Sequence, residues 1–71
     1  MTPAQCRAAR GLLDLTQPDL AKLAGVKRSA ITDYERVRPI SKTMVEKIKT
    51  ALEAQGIEFT NGKRPGVRIK K

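Results

Sequence analysis

The stretch that constrains the fold most is residues 16–35, TQPDLAKLAGVKRSAITDYE, because a glycine divides it into two short segments with helical spacing. Thr16 is a favourable N-cap, and Asp19 can reach back to the free backbone amides, an aspartate variant of the capping box. Gly25 stops the first segment, since the residue after a helix end commonly adopts a left-handed conformation that glycine tolerates. The pattern predicts two short helices joined by a tight turn.

The second of these helices, at about residues 28–35, is predicted to have an inner and an outer face. Ile31 and Tyr34 lie three residues apart and are expected to pack inward. The outer face carries short polar and basic side chains, namely Arg28, Ser29, Thr32 and Asp33. Because base edges in the major groove of DNA offer donors, acceptors and thymine methyl groups, such a face suits insertion there.

At these residues the sequence resembles the helix-turn-helix of Cro and CI-type repressors, also called the XRE family. The string LTQPDLAKLAGVKRSAITDYER carries the resemblance and covers about a third of the chain. Within it, the matching positions are Leu20, Ala21, Ala24, Gly25, Val26, Ile31 and Tyr34. The resemblance implies a mainly α, lambda-repressor-like domain of about four helices that binds double-stranded DNA. The rest of the family's five-helix layout is matched only in part.

Base-reading residues are predicted on the outer face of the second helix. Arg28 is the first candidate, since its planar guanidinium can bind guanine O6 and N7 in the major groove. Ser29 and Thr32 rank second, and the Thr32 methyl group could also touch a thymine methyl. For Asp33 two interpretations stay open, which are acceptance of a hydrogen bond from cytosine N4 and orientation of Arg28 or Arg36 from the side.

Phosphate contacts are predicted for a second set of residues, Gln17, Lys27, Arg36, Arg38 and Lys42. Gln17 matches a family position whose amide and backbone bind a phosphate, and a helix N-terminus favours an anion. Lys27 stands where relatives usually have a serine or threonine cap, so we expect a weakly capped helix and a phosphate contact instead. A solvated basic loop is the competing interpretation for Arg36, Arg38 and Lys42.

The charge balance favours a polyanionic partner, because 15 Lys and Arg face 7 Asp and Glu, for a net charge of +8. A purely solubilising charge is the alternative. With no histidine and one cysteine, metal clusters, disulfide frameworks and Cys-His nucleophile pairs are excluded, so we expect neither an enzyme nor a cofactor. A reducing cytoplasm is the expected compartment. No apolar run approaches the roughly 20 residues of a membrane span, and the N-terminus does not resemble a signal peptide.

Two further helices are predicted on either side of the central pair. Thr2, Pro3 and Gln5 indicate a first helix over residues 3–14, and Ser41 and Gly56 delimit a last one over residues 42–55. Apolar residues at helical spacing predict the buried faces, which are Cys6, Ala9, Leu12 and Leu13 in the first helix and Met44, Val45, Ile48, Ala51 and Leu52 in the last. Cys6 is interpreted as a small buried hydrophobe, not a reactive thiol.

Two positions beside these helices carry particular expectations. In the family that the sequence resembles, a basic residue at the place of Arg10 commonly pairs with an acid at the end of the recognition helix, here Glu35. A DNA contact by Arg10 is the alternative. Many family members have a glycine where Val37 stands, so its absence argues against the usual left-handed helix end at this position.

Residues 57–71 are expected to form a unit apart from the helix-turn-helix domain of residues 1–56. Ile57 and Phe59, then Val67 and Ile69, alternate with polar residues around a turn-forming segment, which predicts a β-hairpin with a loop of about six residues. An isolated hairpin is marginal in water, so three roles are open. The hairpin could cap the chain's own core, pair edge to edge with a second subunit, or give way to disorder after Thr60; dimerisation is favoured.

These observations predict a sequence-specific transcriptional regulator, and specifically a repressor. It would bind a palindromic operator as a homodimer, with two recognition helices one turn of DNA apart, about 34 Å. The alternative is an antitoxin or adaptor protein that binds a protein partner through the C-terminal hairpin as well as binding DNA. Neither interpretation involves a membrane.

Overall fold

Four helices are followed by one β-hairpin in the computed structural model, which describes residues 1–70. The elements are α1 (Pro3–Leu12), α2 (Gln17–Ala24), α3 (Arg28–Glu35), α4 (Lys42–Ala54), β1 (Ile57–Thr60) and β2 (Gly66–Ile69). The predicted mainly α fold with a C-terminal hairpin is therefore confirmed. Lys71, which belongs to the predicted tail, lies outside the described residues.

Side-chain caps determine where three of the four helices begin. Thr2 and Gln5 form a capping box at the start of α1, and Thr16 and Asp19 form another at the start of α2. The Ser41 hydroxyl accepts a hydrogen bond of 3.2 Å from a backbone amide in the first turn of α4. Each cap satisfies an amide that has no partner within its helix, so the predicted and observed starts agree.

The first helix ends two residues earlier than predicted, at Leu12 instead of Asp14. Asp14 has φ +56°, and its amide donates to the Gly11 carbonyl at 3.1 Å. The Leu15 amide donates to the Arg10 carbonyl at 2.9 Å, which completes a Schellman motif. A left-handed residue cannot continue a right-handed helix, and α1 stops before it. The last helix also ends one residue before its predicted boundary, at Ala54, and Gln55 is its C-cap.

The core lies where the four helices meet β1. Its buried side chains are Cys6, Ala9, Leu20, Ala21, Ile31, Ile48, Leu52 and Ile57. Two residues that the helical spacing placed in the core are instead exposed, Leu12 by 47% and Met44 by 37%, and Leu23 in α2 is 48% exposed. In so small a domain, neighbouring elements cover only part of each apolar face, so residues at the margins of the predicted stripes stay in contact with water.

The hairpin packs against its own helices. Its strands pair antiparallel with Phe59 opposite Val67, and both side chains contact the core. The strand β2 lies against α1, and β1 lies against α4. The Gln5 side-chain amide donates to the carbonyl oxygens of Thr60 and Gly66, both at 2.9 Å. Of the three roles expected for the hairpin, these contacts show the first, a cap on the core.

The hairpin loop spans residues 61–65 and is about one residue shorter than predicted. The difference arises because Gly66 already pairs with Thr60 at the start of β2. Across the strands, the Arg68 guanidinium donates to the Glu58 carboxylate at 2.6 Å. The basic loop therefore projects from a hairpin that is held both by this pair and by its contacts with α1.

Candidate nucleic-acid interface

A glycine turn fixes α3 against α2, as the sequence predicted. Gly25 has φ +69° and ends α2. On α3, Ala30 and Ile31 are buried in the domain. The Tyr34 hydroxyl donates to the carbonyl oxygen of Met1 at 2.8 Å, which attaches the end of α3 to the start of the chain. The inner face of α3 is thus held at several points, and its opposite face is left to solvent.

A buried ion pair joins α1 to the last residue of α3, which confirms the predicted pairing of Arg10 with Glu35. Arg10 Nε lies 3.0 Å from Glu35 Oε2, and Arg10 Nη2 lies 3.0 Å from Oε1. Glu35 is 5% exposed. Burial by itself raises the pKa of Glu35, but hydrogen bonds from Arg10 and Gln17 and the charge of Arg10 outweigh it, so the pKa lies below its ordinary value. Glu35 is therefore ionised at neutral pH.

The side chain of Gln17 connects this ion pair to the outer face of α3. Gln17 Nε2 donates to Glu35 Oε1 at 3.2 Å, and Gln17 Oε1 accepts from the Thr32 hydroxyl at 2.9 Å. Sequence reasoning placed Gln17 at a phosphate and missed both contacts. No local signal predicts them, since they depend on how α2 crosses α3.

The four candidate base-reading residues differ in how far they are exposed to solvent. Arg28 and Ser29 are exposed in the first turn of α3, whereas Thr32 and Asp33 are half-buried. Asp33 pairs with Arg38 at 3.4 Å, and not with Arg28 or Arg36 as one of its two interpretations expected. The other interpretation, acceptance from cytosine N4, stays a prediction. Arg38 is largely exposed and Asp33 is partly exposed, so the pair contributes little to stability. Arg28 is the first residue of α3, and its predicted contact with a base stays a prediction.

The candidate phosphate-binding cations lie before and after α3 in the chain. Lys27 precedes the helix, Arg36 and Arg38 follow it, and Lys42 begins α4; all four are exposed. Gln17 is half-buried at the first position of α2. An outward helix face with cations before and after it is compatible with contacts to bases and to their neighbouring phosphates.

Each end of α3 carries a residue that is unusual at its position, a lysine at the N-cap and a valine at the left-handed position after the helix. Lys27 has extended backbone angles at the N-cap and makes no side-chain cap, as expected from its identity. At the other end, Val37 has φ +61°, so the left-handed end forms although its usual glycine is absent. The Val37 amide donates to the Tyr34 carbonyl at 3.0 Å, and the Arg38 amide donates to the Asp33 carbonyl at 2.8 Å. These two bonds make a Schellman motif and hold valine in that conformation, which corrects the expectation for this position.

Cys6 is fully buried, which confirms its interpretation as a core residue. Burial and the nearby Glu35 carboxylate raise the pKa of its thiol to about 12, so it stays protonated and unreactive. Among residues 1–70, no group of acidic or cysteine side chains is arranged to hold a metal ion. Within the same range, no helix combines the length and hydrophobicity needed to cross a membrane.

Comparison with known proteins supports the assignment that this geometry suggests. A helix-turn-helix family model matches residues 7–57, which comprise most of the chain and include all of α2, α3 and α4. No curated protein matches the sequence. The matched family consists of DNA-binding domains and is not enzymatic. The chain belongs to the Cro/CI-type (XRE) helix-turn-helix family, whose domains bind DNA in a sequence-specific manner.

Proposed function

We propose that this protein is a transcriptional repressor that binds a palindromic operator as a homodimer, with α3 in the major groove. The observation that carries the proposal is the outer face of α3. Arg28 and Ser29 are exposed in its first turn, and basic side chains flank the helix at both ends. Arg28 and Ser29 then read bases together with Thr32 and Asp33. Gln17, Lys27, Arg36, Arg38 and Lys42 bind phosphates and fix the register.

The size of the domain supports a dimer. The chain measures 27 × 23 × 18 Å. Half-sites one turn of DNA apart are separated by about 34 Å, so one copy with one recognition helix cannot occupy both. The hairpin is the proposed dimerisation element, because among the described residues each of its two strands pairs only with the other, and an unpaired strand edge can pair with a second copy.

Selection of bound duplexes from a random library tests this function, with the salt dependence of the best binder's affinity recorded. We expect an enriched palindrome with half-sites about 10 base pairs apart, centre to centre. Sedimentation of the complex should give two chains per duplex. If no sequence is enriched and binding simply fades with salt, the basic surface is nonspecific and the proposal fails.

Arg28→Ala is expected to relax specificity at one base pair per half-site, at a cost of about 1 to 3 kcal/mol on the preferred sequence. Gln17→Ala should instead weaken binding without changing the preference at the base pair that Arg28 reads, because a phosphate contact carries no base information. Competition titrations with operator and mutated operator separate the two effects. The reverse pattern would contradict both role assignments.

A second candidate function is that of an antitoxin or adaptor that binds a protein partner through the hairpin. The observation in its favour is the exposed basic loop, where Lys63 and Arg64 project beside strand edges that bind no other strand among the described residues. An acidic partner segment added to one edge would gain backbone hydrogen bonds and charge pairs. Purification of the chain from its native cells with a second protein bound at the hairpin would favour this function.

A further inference from the structure

Thr32, on the DNA-facing side of α3, is connected to the buried ion pair through a single side chain. Its hydroxyl lies 2.9 Å from Gln17 Oε1, and Gln17 Nε2 lies 3.2 Å from Glu35 Oε1. Glu35 in turn receives two bonds from Arg10. Four side chains from three helices therefore form one continuous series of hydrogen bonds, and each bond has a direction.

Arg10 and Glu35, at the buried end of this series, determine which group donates in each hydrogen bond. A guanidinium has only donors, so Arg10 donates and Glu35 accepts. Beside this cation, the Glu35 carboxylate is ionised and has no proton to give. It is a pure acceptor, and any neutral group that contacts it must donate.

This requirement orients the Gln17 amide. Because Glu35 only accepts, Gln17 must turn its NH2 group toward the carboxylate, which places its carbonyl oxygen toward Thr32. That oxygen is also only an acceptor. The single hydroxyl proton of Thr32 is consequently used in the bond to Gln17, and only oxygen lone pairs remain for other partners.

We propose that Thr32 acts toward DNA solely as a hydrogen-bond acceptor and therefore selects a base with an exocyclic amino group, adenine or cytosine. This inference rests on the proposed function, since it assumes that α3 reads base edges. In the major groove, adenine N6 and cytosine N4 are donors, whereas guanine O6 and thymine O4 are acceptors. A keto oxygen opposite the Thr32 lone pairs would be left without a proton and would repel them.

Base analogues in the selected operator test the proposal when binding of the wild-type protein is compared with that of Thr32→Val. Thr32→Val first identifies the contacted base pair, because only at that position should the variant lose its base preference. There, replacement of adenine by purine, or of cytosine by 2-pyrimidinone, removes the amino group alone. The wild-type protein should bind the analogue about fivefold more weakly, whereas Thr32→Val should bind both duplexes equally.

A second variant tests the role of Gln17 in fixing the direction. Gln17→Met keeps the length of the side chain and removes the acceptor, so the Thr32 hydroxyl can then donate to a keto oxygen. We expect this variant to bind DNA more weakly overall. The ratio of its affinities for operators with an amino base and with a keto base at the contacted position should fall toward one. Thr50→Val is the matched control, because Thr50 is an exposed threonine in α4 and should leave every base preference unchanged.

The outcomes separate this inference from the function on which it rests. The inference is overturned if Thr32→Val changes no base preference, or if removal of a keto oxygen weakens wild-type binding where removal of the amino group does not. It is also overturned if Gln17→Met leaves the amino preference intact while circular dichroism shows a native fold. If the wild-type protein enriches no operator at all, the proposed function fails together with the inference.

Discussion

At the scale of single residues, Val37 carries backbone strain that a glycine at the same position would relieve. A β-branched residue at φ +61° is held in a conformation that costs an L-residue about 1 to 2 kcal/mol. Its side chain is 77% exposed, so little packing would be lost on its removal. Val37→Gly should raise the free energy of unfolding by about 0.5 to 1 kcal/mol, since the flexibility of glycine offsets part of the relief. Urea denaturation followed by circular dichroism measures the change.

A matched control for Val37→Gly is Arg36→Gly, one residue earlier, where φ is −90°. Glycine offers no conformational advantage there and should lower the free energy of unfolding. If both variants are destabilised alike, valine is not strained at position 37, and the gain predicted from its backbone angle is wrong.

Lys27 is the residue at which stability and binding are expected to oppose each other. It occupies the N-cap of α3 without capping it. Lys27→Ser should raise the free energy of unfolding by about 0.5 to 1 kcal/mol, because the serine hydroxyl can accept a first-turn amide. If Lys27 binds a phosphate, the same change should weaken DNA binding and reduce the slope of log affinity against log salt by about 1.

Thermal melting and salt titrations measure the two effects of Lys27→Ser separately. Lys47→Ser removes the same charge from the exposed middle of α4. It should lower stability slightly and leave the salt slope close to that of the wild type. An unchanged slope in Lys27→Ser would rule out the phosphate contact.

At the scale of elements, Gln5 links α1 to the hairpin. Its carbonyl oxygen accepts from the Thr2 amide at 2.8 Å, while its NH2 group donates to Thr60 and Gly66. Gln5→Glu keeps the acceptor for the cap but turns a buried carboxylate toward two carbonyl oxygens. We expect the free energy of unfolding to fall by at least about 2 kcal/mol, because a buried charge loses its solvation without gaining donors.

The comparison for Gln5→Glu is Thr2→Ala, which removes the side-chain cap of α1 and leaves the hairpin contacts in place. Its expected cost is about 1 kcal/mol. Hydrogen exchange of the β1 and β2 amides should increase in Gln5→Glu and change little in Thr2→Ala. Equal effects of the two variants on the strands would show that Gln5 contributes only through the cap.

At the scale of the whole molecule, the Arg10–Glu35 pair makes stability depend on pH. The pKa of Glu35 is lower in the folded chain than its ordinary value of 4.5, so the ionised group stabilises the fold fully above that value. This contribution should be lost progressively as the pH falls from 4.5 through the lower native pKa. Urea denaturation of the wild type at a series of acidic pH values measures the loss.

Glu35→Gln separates this carboxylate from the other acids. The variant should be less stable than the wild type at neutral pH, because Arg10 then lies beside a neutral partner. The difference in unfolding free energy between the two proteins should narrow on acidification. The pKa of Asp19 is lowered by its bonds with Thr16, so Asp19 also makes stability depend on pH, but it does so equally in the wild type and in Glu35→Gln. Parallel pH profiles would show that Glu35 is not the coupled group.

The sequence by itself determined which elements form and where most of the helices begin. Thr2, Thr16 and Ser41 start helices, and Gly25 ends one, through contacts with backbone groups within about four residues. Such contacts are local, so a pattern of residue types predicts them. The pairing of Arg10 with Glu35 was also predicted, although through resemblance to a family and not through spacing.

Only the tertiary structure decided how the elements are connected. The bonds of Gln17 to Thr32 and Glu35 span 15 and 18 residues, and those of Gln5 to the hairpin span 55 and 61. Leu23 fits an apolar helical face but remains 48% exposed, because among residues 1–70 the neighbouring elements cover it only in part. Val37 is left-handed because its two neighbouring hydrogen bonds require it, against its own preference. Propensity and spacing act along the chain, whereas these features depend on which surfaces meet when the helices pack.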